Sequence, residues 1–582
     1  MRKSEVSISL ILAMGLWLGP ERRAPADTNV VVSISTTNST PLNKGFAGFC
    51  TEMLTDAVEY WDTNFQQIAA TLSPGWLRFP AGATGDAFEW TNGLTMTNWI
   101  PEFPAAEQSL LNDTVKPSGG KGGAQFNDFA ALCANVGGAR IVVCINGFTD
   151  TTNSAGAFAG YALSNHIPVA AWELCNEPYI FTGKGAYDFF LNSTDYVARM
   201  KPYRNAIKAA DSNAVVAIYF SDAGFPETNW DSALSNYTDK YWDAVVYHHY
   251  PSLPTNASFS DLMALDNWQL ASNTTDRVLN YLMPMNRSNV TYLITEYAPA
   301  LGNGTGGQYP PTTTLYGGIY AAEYLLRMST IPQMSFVGPY QLLDAAGIAV
   351  TNNNYPAVTK AYDEGRTTNT SGLPFGFYLS AQVCGQSVAN WALTRSTAVY
   401  PTTVGANGPT VPIVTNGIAA IPAVYAQAYQ GGNGKRYVVL TNKGSNAVPV
   451  QINQDGTLLT NQLLETFVTG SDPSLVNSNP PPNNVEIQSQ AIANPFSLPG
   501  YSVARIEWTV FDVPVPSLEL SISNSNATLS WTGLTSVSYF IQGTTNLPGP
   551  WATLGSLAAI QTNETFTDSR NAAFQCYRLE VP

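Results

Sequence analysis

From residue 43 to about 385 the chain alternates between short, nearly unbroken apolar runs and amphipathic stretches of helical period. Eight apolar runs read as strands. They are FAGFCTEM from Phe46, WLRFPAG from Trp76, RIVVCING from Arg140, AAWELCNEP from Ala170, AVVAIYFSD from Ala214, DAVVYHHYP from Asp243, VTYLITEYA from Val290 and MSFVGPYQL from Met334. Runs without period-two alternation predict strands buried on both faces, as in a parallel sheet. Helical spacing between them is clearest from Phe126, from Thr194 (with Ser193 and Thr194 as cap candidates), from Thr314 and from Gly376. Eight such alternations predict a (β/α)8 barrel. A doubly wound open sheet would carry a glycine-rich loop after its first strand, where this chain reads CTEMLTDA.

After residue 390 the pattern changes to period two, with Gly/Asn turns. The expected organisation is an export signal over 1–26, a strand of a β-sandwich within 27–42, the barrel over 43–389, an antiparallel β-sandwich over 390–510, and a small all-β module over 517–582, whose LELSISNSNATLSW opening and FQCYRLEV ending resemble fibronectin-like modules. FDVPVP from Phe511 marks the linker before that module. Trp531 and Trp551 in the module fit either a binding platform or its core. The signal rests on Arg2 and Lys3, the short apolar run Val6–Leu18 and Ala24-Pro25-Ala26. The chain is therefore expected outside the cell.

Composition narrows the partners. Only 12% of the 582 residues are charged and 12% are aromatic, which fits a protein facing neutral polar ligands such as carbohydrate and fits equally a secreted surface with few charges. A net charge of −15 argues against nucleic acid and against an anionic membrane surface. The six cysteines form no CxxC pair, so no metal site is expected, and no cofactor is implied. Several lie in predicted buried strands and are expected as free thiols.

Two carboxylates stand at strand ends. Glu177 follows the fourth run and Glu296 the seventh, at the face where a barrel of this kind carries its chemistry. Retaining glycoside hydrolysis needs two carboxyls about 5–5.5 Å apart, one an acid and one a nucleophile. On the sixth run His248 and Tyr250 share one face while His249 points away, which makes the first two lumenal and places Tyr250 on Glu296. A pair of satisfied buried polar groups is the alternative. Glu177 is expected to be protonated, its acidity weakened by the nearby Glu296.

WELCNEPY and YLITEYAP resemble the acid/base and nucleophile motifs of the large retaining glycosidase clan, clan A. The resemblance implies Glu177 as acid/base, Glu296 as nucleophile and Asn176 on the sugar 2-hydroxyl, without metal. It also implies Arg78 orienting the nucleophile, where a plain buried salt bridge is the other reading. FAGFCTEM, LRFPAGATGDAFEW and the His-x-Tyr are most similar to the α-L-arabinofuranosidase family. There Glu52 and Gln341 would match sugar-binding positions, against a reading as rim residues. The strand-two segment Pro80-Ala81-Gly82-Ala83 departs from that family's PGGN. β-Glucuronidase/heparanase-like and endo-glucanase or xylanase families of the clan are the alternatives, and a non-catalytic polysaccharide-binding protein is the reading from another class.

Overall fold

The computed structural model describes residues 29–51, 60–61, 63–102, 108, 125–181, 189–221, 230–250, 275–297, 314–340, 342–346, 358–361, 377–406, 408–412, 420–432, 434–477, 484–509, 518–523, 526–532, 538–544, 552–558, 563–568 and 576–580. The export segment, Glu52, Gln341 and Trp551 lie outside these residues.

Strand β1 (Val30–Ile34) stands apart from the sheet that follows. That sheet is parallel and, among the described residues, has seven strands in chain order: β2 (Trp76–Phe79), β3 (Arg140–Ile145), β4 (Val169–Leu174), β5 (Val216–Tyr219), β6 (Ala244–Val246), β7 (Thr291–Ile294) and β8 (Met334–Val337). Their side chains are buried almost without interruption, because one face looks into the ring and the other is covered by helices.

Residues 46–50 fill the place between β8 and β2. Ala47 bridges Val337 and Phe49 bridges Leu77, both in parallel sense. Gly48 N donates to Val337 O at 3.1 Å, and Phe49 N donates to Trp76 O at 3.1 Å. The first run thus joins the ring through isolated bridges, where the sequence reading expected a full strand. Close approach explains the glycine at its centre. A Cβ on Gly48 would stand 2.3 Å from the Trp76 carbonyl oxygen and 2.5 Å from its indole.

The barrel is surrounded by α1 (Thr63–Thr71), α2 (Phe126–Asn135), α3 (Thr152–Ser164), α4 (Ser193–Ala210), α5 (Trp230–Ser235), α6 (Leu315–Met328) and α7 (Ala381–Arg395). The cap of α4 is Asn192, whose side chain accepts from Asp195 N at 2.9 Å; the expected cap Ser193 is buried and bonds Trp230 O. The helix expected from Gly376 begins only at Ala381, after Phe377–Leu379 has paired as a strand. Ser380 caps it by accepting from Val383 N. Helices α6 and α7 cross where Gly318 and Gly385 touch, and both pack on the sheet behind them.

That sheet is antiparallel, and a second one holds β1 between Thr402–Val404 and Val448–Gln454. Alternate residues Val30, Val32 and Ile34 enter a shared core with Leu440, Ile452 and Ile506. The C-terminal residues form two three-stranded antiparallel sheets around Leu529, Trp531, Tyr539 and Ile541, so Trp531 is a core residue. All six cysteines are free; five are buried and Cys576 is exposed. Among the described residues, no helix is long and apolar enough to cross a membrane.

Candidate active site

Charged residues inside strands this apolar need partners within the ring. Arg78 of β2 and Glu173 of β4 are both fully buried, and Arg78 Nε donates to Glu173 Oε2 at 2.8 Å. Tyr219 of β5 also donates to Glu173, at 3.0 Å. The rest of the guanidinium fork reaches upward. Nη2 donates to Asn176 Oδ1 at 2.8 Å and to Tyr219 at 2.7 Å, and Nη1 donates to Glu296 Oε1. One cation therefore lies between two carboxylates. Burial works against its charge, but Glu173 and its neighbours outweigh this and raise the guanidinium well above its ordinary value. Arg78 thus forms a buried salt bridge with Glu173 and also contacts Glu296.

Beyond β4 the chain turns sharply. Cys175 at φ 72° and Glu177 at φ 39° flank Asn176 in the left-handed region, which costs of order 1–3 kcal/mol for each residue that is not glycine. Asp86 holds the turn by accepting from Asn176 N at 2.9 Å. The turn presents Asn176 and Glu177 to the mouth of the ring.

Glu296 arrives two residues beyond β7. Besides Arg78 it accepts from the Tyr250 hydroxyl at 2.6 Å, and the Cys50 thiol lies 3.7 Å from its Oε1. Burial and the Glu296 charge push the Tyr250 hydroxyl well up, so it stays a donor. Glu177 accepts from Tyr179 at 2.7 Å and pairs with His248 Nδ1 at 2.9 Å. His248 Nδ1 also lies 3.5 Å from Glu296 Oε2, and its Nε2 meets Thr295 Oγ1 at 3.1 Å. His249 points the other way and stacks on Tyr324 of α6. The ligand atoms of Glu177, His248 and Glu296 all lie within 4.8 Å of one another, which puts the two carboxylates within bonding reach of a single sugar carbon and its leaving oxygen. Chemically this trio is also a donor set for a metal ion, but its oxygens already accept from Arg78, Tyr250, Tyr179 and His248.

The protonation pattern departs from the sequence expectation. Burial pushes the Glu177 carboxyl up, but the hydrogen bond and charge of His248, with Tyr179, outweigh it and hold Glu177 below its ordinary 4.5. Burial pushes His248 down, but Glu296 and Glu177 outweigh that and hold it above 6.5. Both directions favour a charged imidazole beside an ionised Glu177 carboxyl.

The structure brings together Glu177, Glu296, Asn176, Arg78, His248 and Tyr250. The sequence reading missed Glu173, Tyr219, Tyr179, Asp86 and Cys50. For Glu173 a signal existed: WLRF and VAAWEL each carry one charge of opposite sign inside an otherwise apolar strand.

No protein-family model and no curated protein matches the sequence. Solved structures do resemble it in fold. An α-L-arabinofuranosidase from Thermotoga maritima in an arabinose complex aligns with a TM-score of 0.61 and 15% identity, over 83% of this chain and 100% of that one. A family 51 α-L-arabinofuranosidase from Thermotoga petrophila gives 0.61 and 16%, over 82% and 100%. A 4-O-α-L-rhamnosyl-β-D-glucuronidase from Fusarium oxysporum gives 0.50 and 13%, over 82% and 100%. The chain shares the fold of these proteins, a parallel barrel followed by a β-sandwich.

Proposed function

We propose that this chain, which shares the fold of those glycoside hydrolases, is a retaining glycoside hydrolase. The observation that carries the reading is the approach of Glu177 and Glu296 to within 4.8 Å at the mouth of the ring. That separation suits direct attack by a carboxylate on the anomeric carbon; an inverting enzyme needs about 6.5–9.5 Å to admit a water.

Glu296 attacks the anomeric carbon and forms a glycosyl ester. Arg78 and Tyr250 aim its carboxylate. The glycosidic C–O bond breaks as Glu177 gives a proton to the leaving oxygen. His248 supplies that proton to Glu177 across their 2.9 Å contact once sugar displaces water from the mouth. Esterification of Glu296 removes the charge that held His248 protonated. Glu177, now ionised, takes a proton from water, whose oxygen attacks the same carbon and frees Glu296. Asn176, held by Arg78, faces the sugar 2-hydroxyl.

α-L-Arabinofuranosides are the first substrates to try, supported by the fold neighbours and the His-x-Tyr of β6. Cell-wall polysaccharide is the natural source of such bonds, and β-glucuronides or β-glucans are the alternatives within the clan. Export is part of this reading, supported by the charge, the apolar run and the Ala-Pro-Ala pattern within residues 1–26. The net charge of −15 supports a glycan as the partner, without nucleic acid or membrane.

The test is hydrolysis of aryl α-L-arabinofuranoside, with aryl glucuronides, xylosides and glucosides alongside, and the product anomer read by NMR. Retention is expected, and azide should rescue Glu296→Gly while yielding a glycosyl azide. Inverted product, or full activity in Glu296→Gly without azide, would refute the mechanism. Polysaccharide binding with no reducing ends released from any substrate would favour the binding-protein reading.

A further inference from the structure

A second cluster of buried charge lies where α6 meets the sandwich. Glu323 of α6 is fully buried. Its Oε1 accepts from Arg327 Nε at 3.1 Å and Nη2 at 2.8 Å, and its Oε2 accepts from Lys443 Nζ at 2.7 Å and Thr441 Oγ1 at 3.0 Å. The carboxylate is saturated and the cations are not. Lys443 is 2% exposed, yet among the described residues its ammonium makes one hydrogen bond, to Glu323. Arg327 Nη1 makes none among those residues, and its guanidinium carbon sits 4.2 Å from the centroid of the Tyr425 ring. Two cationic side chains thus face one carboxylate, with Lys443 buried and Arg327 17% exposed.

Arg327 and Lys443 also line a cavity of about 290 Å³, together with Tyr425, Thr402, Gly408 and Thr410. The lower end of the range for small-molecule sites is about 300 Å³, so this space suits one sugar ring and not a chain of them. Lys443 has a single hydrogen-bond partner among the described residues and Arg327 Nη1 has none, so an anion entering the cavity meets two cationic donors. A carboxylate matches the guanidinium fork and the ammonium better than a neutral hydroxyl does, because charge-assisted hydrogen bonds are roughly twice as strong. The apolar walls from Val424, Ala426 and Pro422 suit the C–H face of a ring.

We propose that this cavity is a non-catalytic site for a hexuronate, its carboxylate held by Arg327 Nη1 and Lys443 Nζ and its ring lying against Tyr425. The carboxylate follows from the charge count, whereas the sugar ring rests on the glycan reading of the barrel mouth. The site lies against the sandwich, so it would hold an acidic branch or neighbouring residue of a glycan apart from the bond being cut.

Isothermal titration of the full chain with D-glucuronate, D-galacturonate, D-xylose and acetate tests this. The expected result is one hexuronate bound per chain, at least about tenfold more tightly than acetate, with no saturable heat from xylose. Arg327→Gln keeps the Lys443–Glu323 pair, and an unchanged melting curve would verify its fold. It should weaken hexuronate binding about tenfold or more and leave aryl-glycoside turnover unchanged. Three outcomes overturn the proposal: no saturable heat from either hexuronate, equal affinity for acetate (an adventitious anion only), or undiminished binding in Arg327→Gln. The aryl-glycoside assay is independent of this titration, so failure of one reading is distinguishable from failure of the other.

Discussion

The two buried charge clusters are near mirror images. At the barrel mouth one cation, Arg78, serves two carboxylates, Glu173 and Glu296; at the sandwich junction one carboxylate, Glu323, serves two cations, Arg327 and Lys443. The surroundings differ as well. The mouth has left-handed backbone at Cys175 and Glu177 and an imidazole within reach of two carboxylates, whereas the junction lies between a regular helix and regular strands. At the mouth Arg78 pairs with Glu296 and His248 with Glu177 beside a strained turn, an arrangement suited to moving a proton. Excess positive charge in a rigid wall has no proton to move, so it is suited to structure and to anion binding.

The sharpest way to break this comparison is Glu296→Gln. Turnover should fall by on the order of 10⁴–10⁶, the scale on which loss of a nucleophile acts, while thermal stability changes little. A purely structural mouth would give the opposite split. Glu323→Leu should behave inversely: leaving Arg327 and Lys443 uncompensated should lower stability by about 3–5 kcal/mol in chemical denaturation, with turnover per folded molecule near normal. A fall in turnover without destabilisation would mean that the junction takes part in catalysis. Glu173→Gln tests whether the mouth works as one network. Arg78 would keep Glu296 but lose its lower anchor, and turnover should drop by about 10–100-fold with a smaller change in KM. Restoration by Asp at the same position would tie the loss to the charge.

The smallest effect is one of pH. Glu177 is depressed in the folded chain, so its pairing stabilises above 4.5 and is lost as pH falls through the lower folded value. His248 is raised, so its pairing is full below 6.5 and is lost as pH rises through the higher folded value. The melting-temperature gap between the parent and His248→Gln should therefore be widest from about pH 4.5 to 6.5 and narrow on both sides. A gap independent of pH would mean that no proton is shared there.

Much of the barrel was legible because a strand covered on both faces leaves an unbroken apolar run, and eight such runs are hard to arrange otherwise. Glu177, Glu296, His248 and Tyr250 were legible because strand ends and period-two alternation dictate where a side chain points. The direction of the Glu177 shift was not. It depends on whether the nearest group is the anion Glu296 or the imidazole His248, a matter of one contact at 2.9 Å. Asp86 was illegible for a similar reason, since its bond to Asn176 N joins residues 90 positions apart. The start of α7 was missed because Phe377–Leu379 satisfies a helical and an extended pattern equally, and pairing with Val358–Ala361 decides it.

The bridges at residues 46–50 have a consequence for durability. Cys50, at the end of that segment, brings its thiol to both Arg78 and Glu296, so the ion pair at the mouth is tied to the segment that joins β8 to β2. Local opening of this segment is expected to disturb the Arg78–Glu296 pair even while the remaining strands stay together.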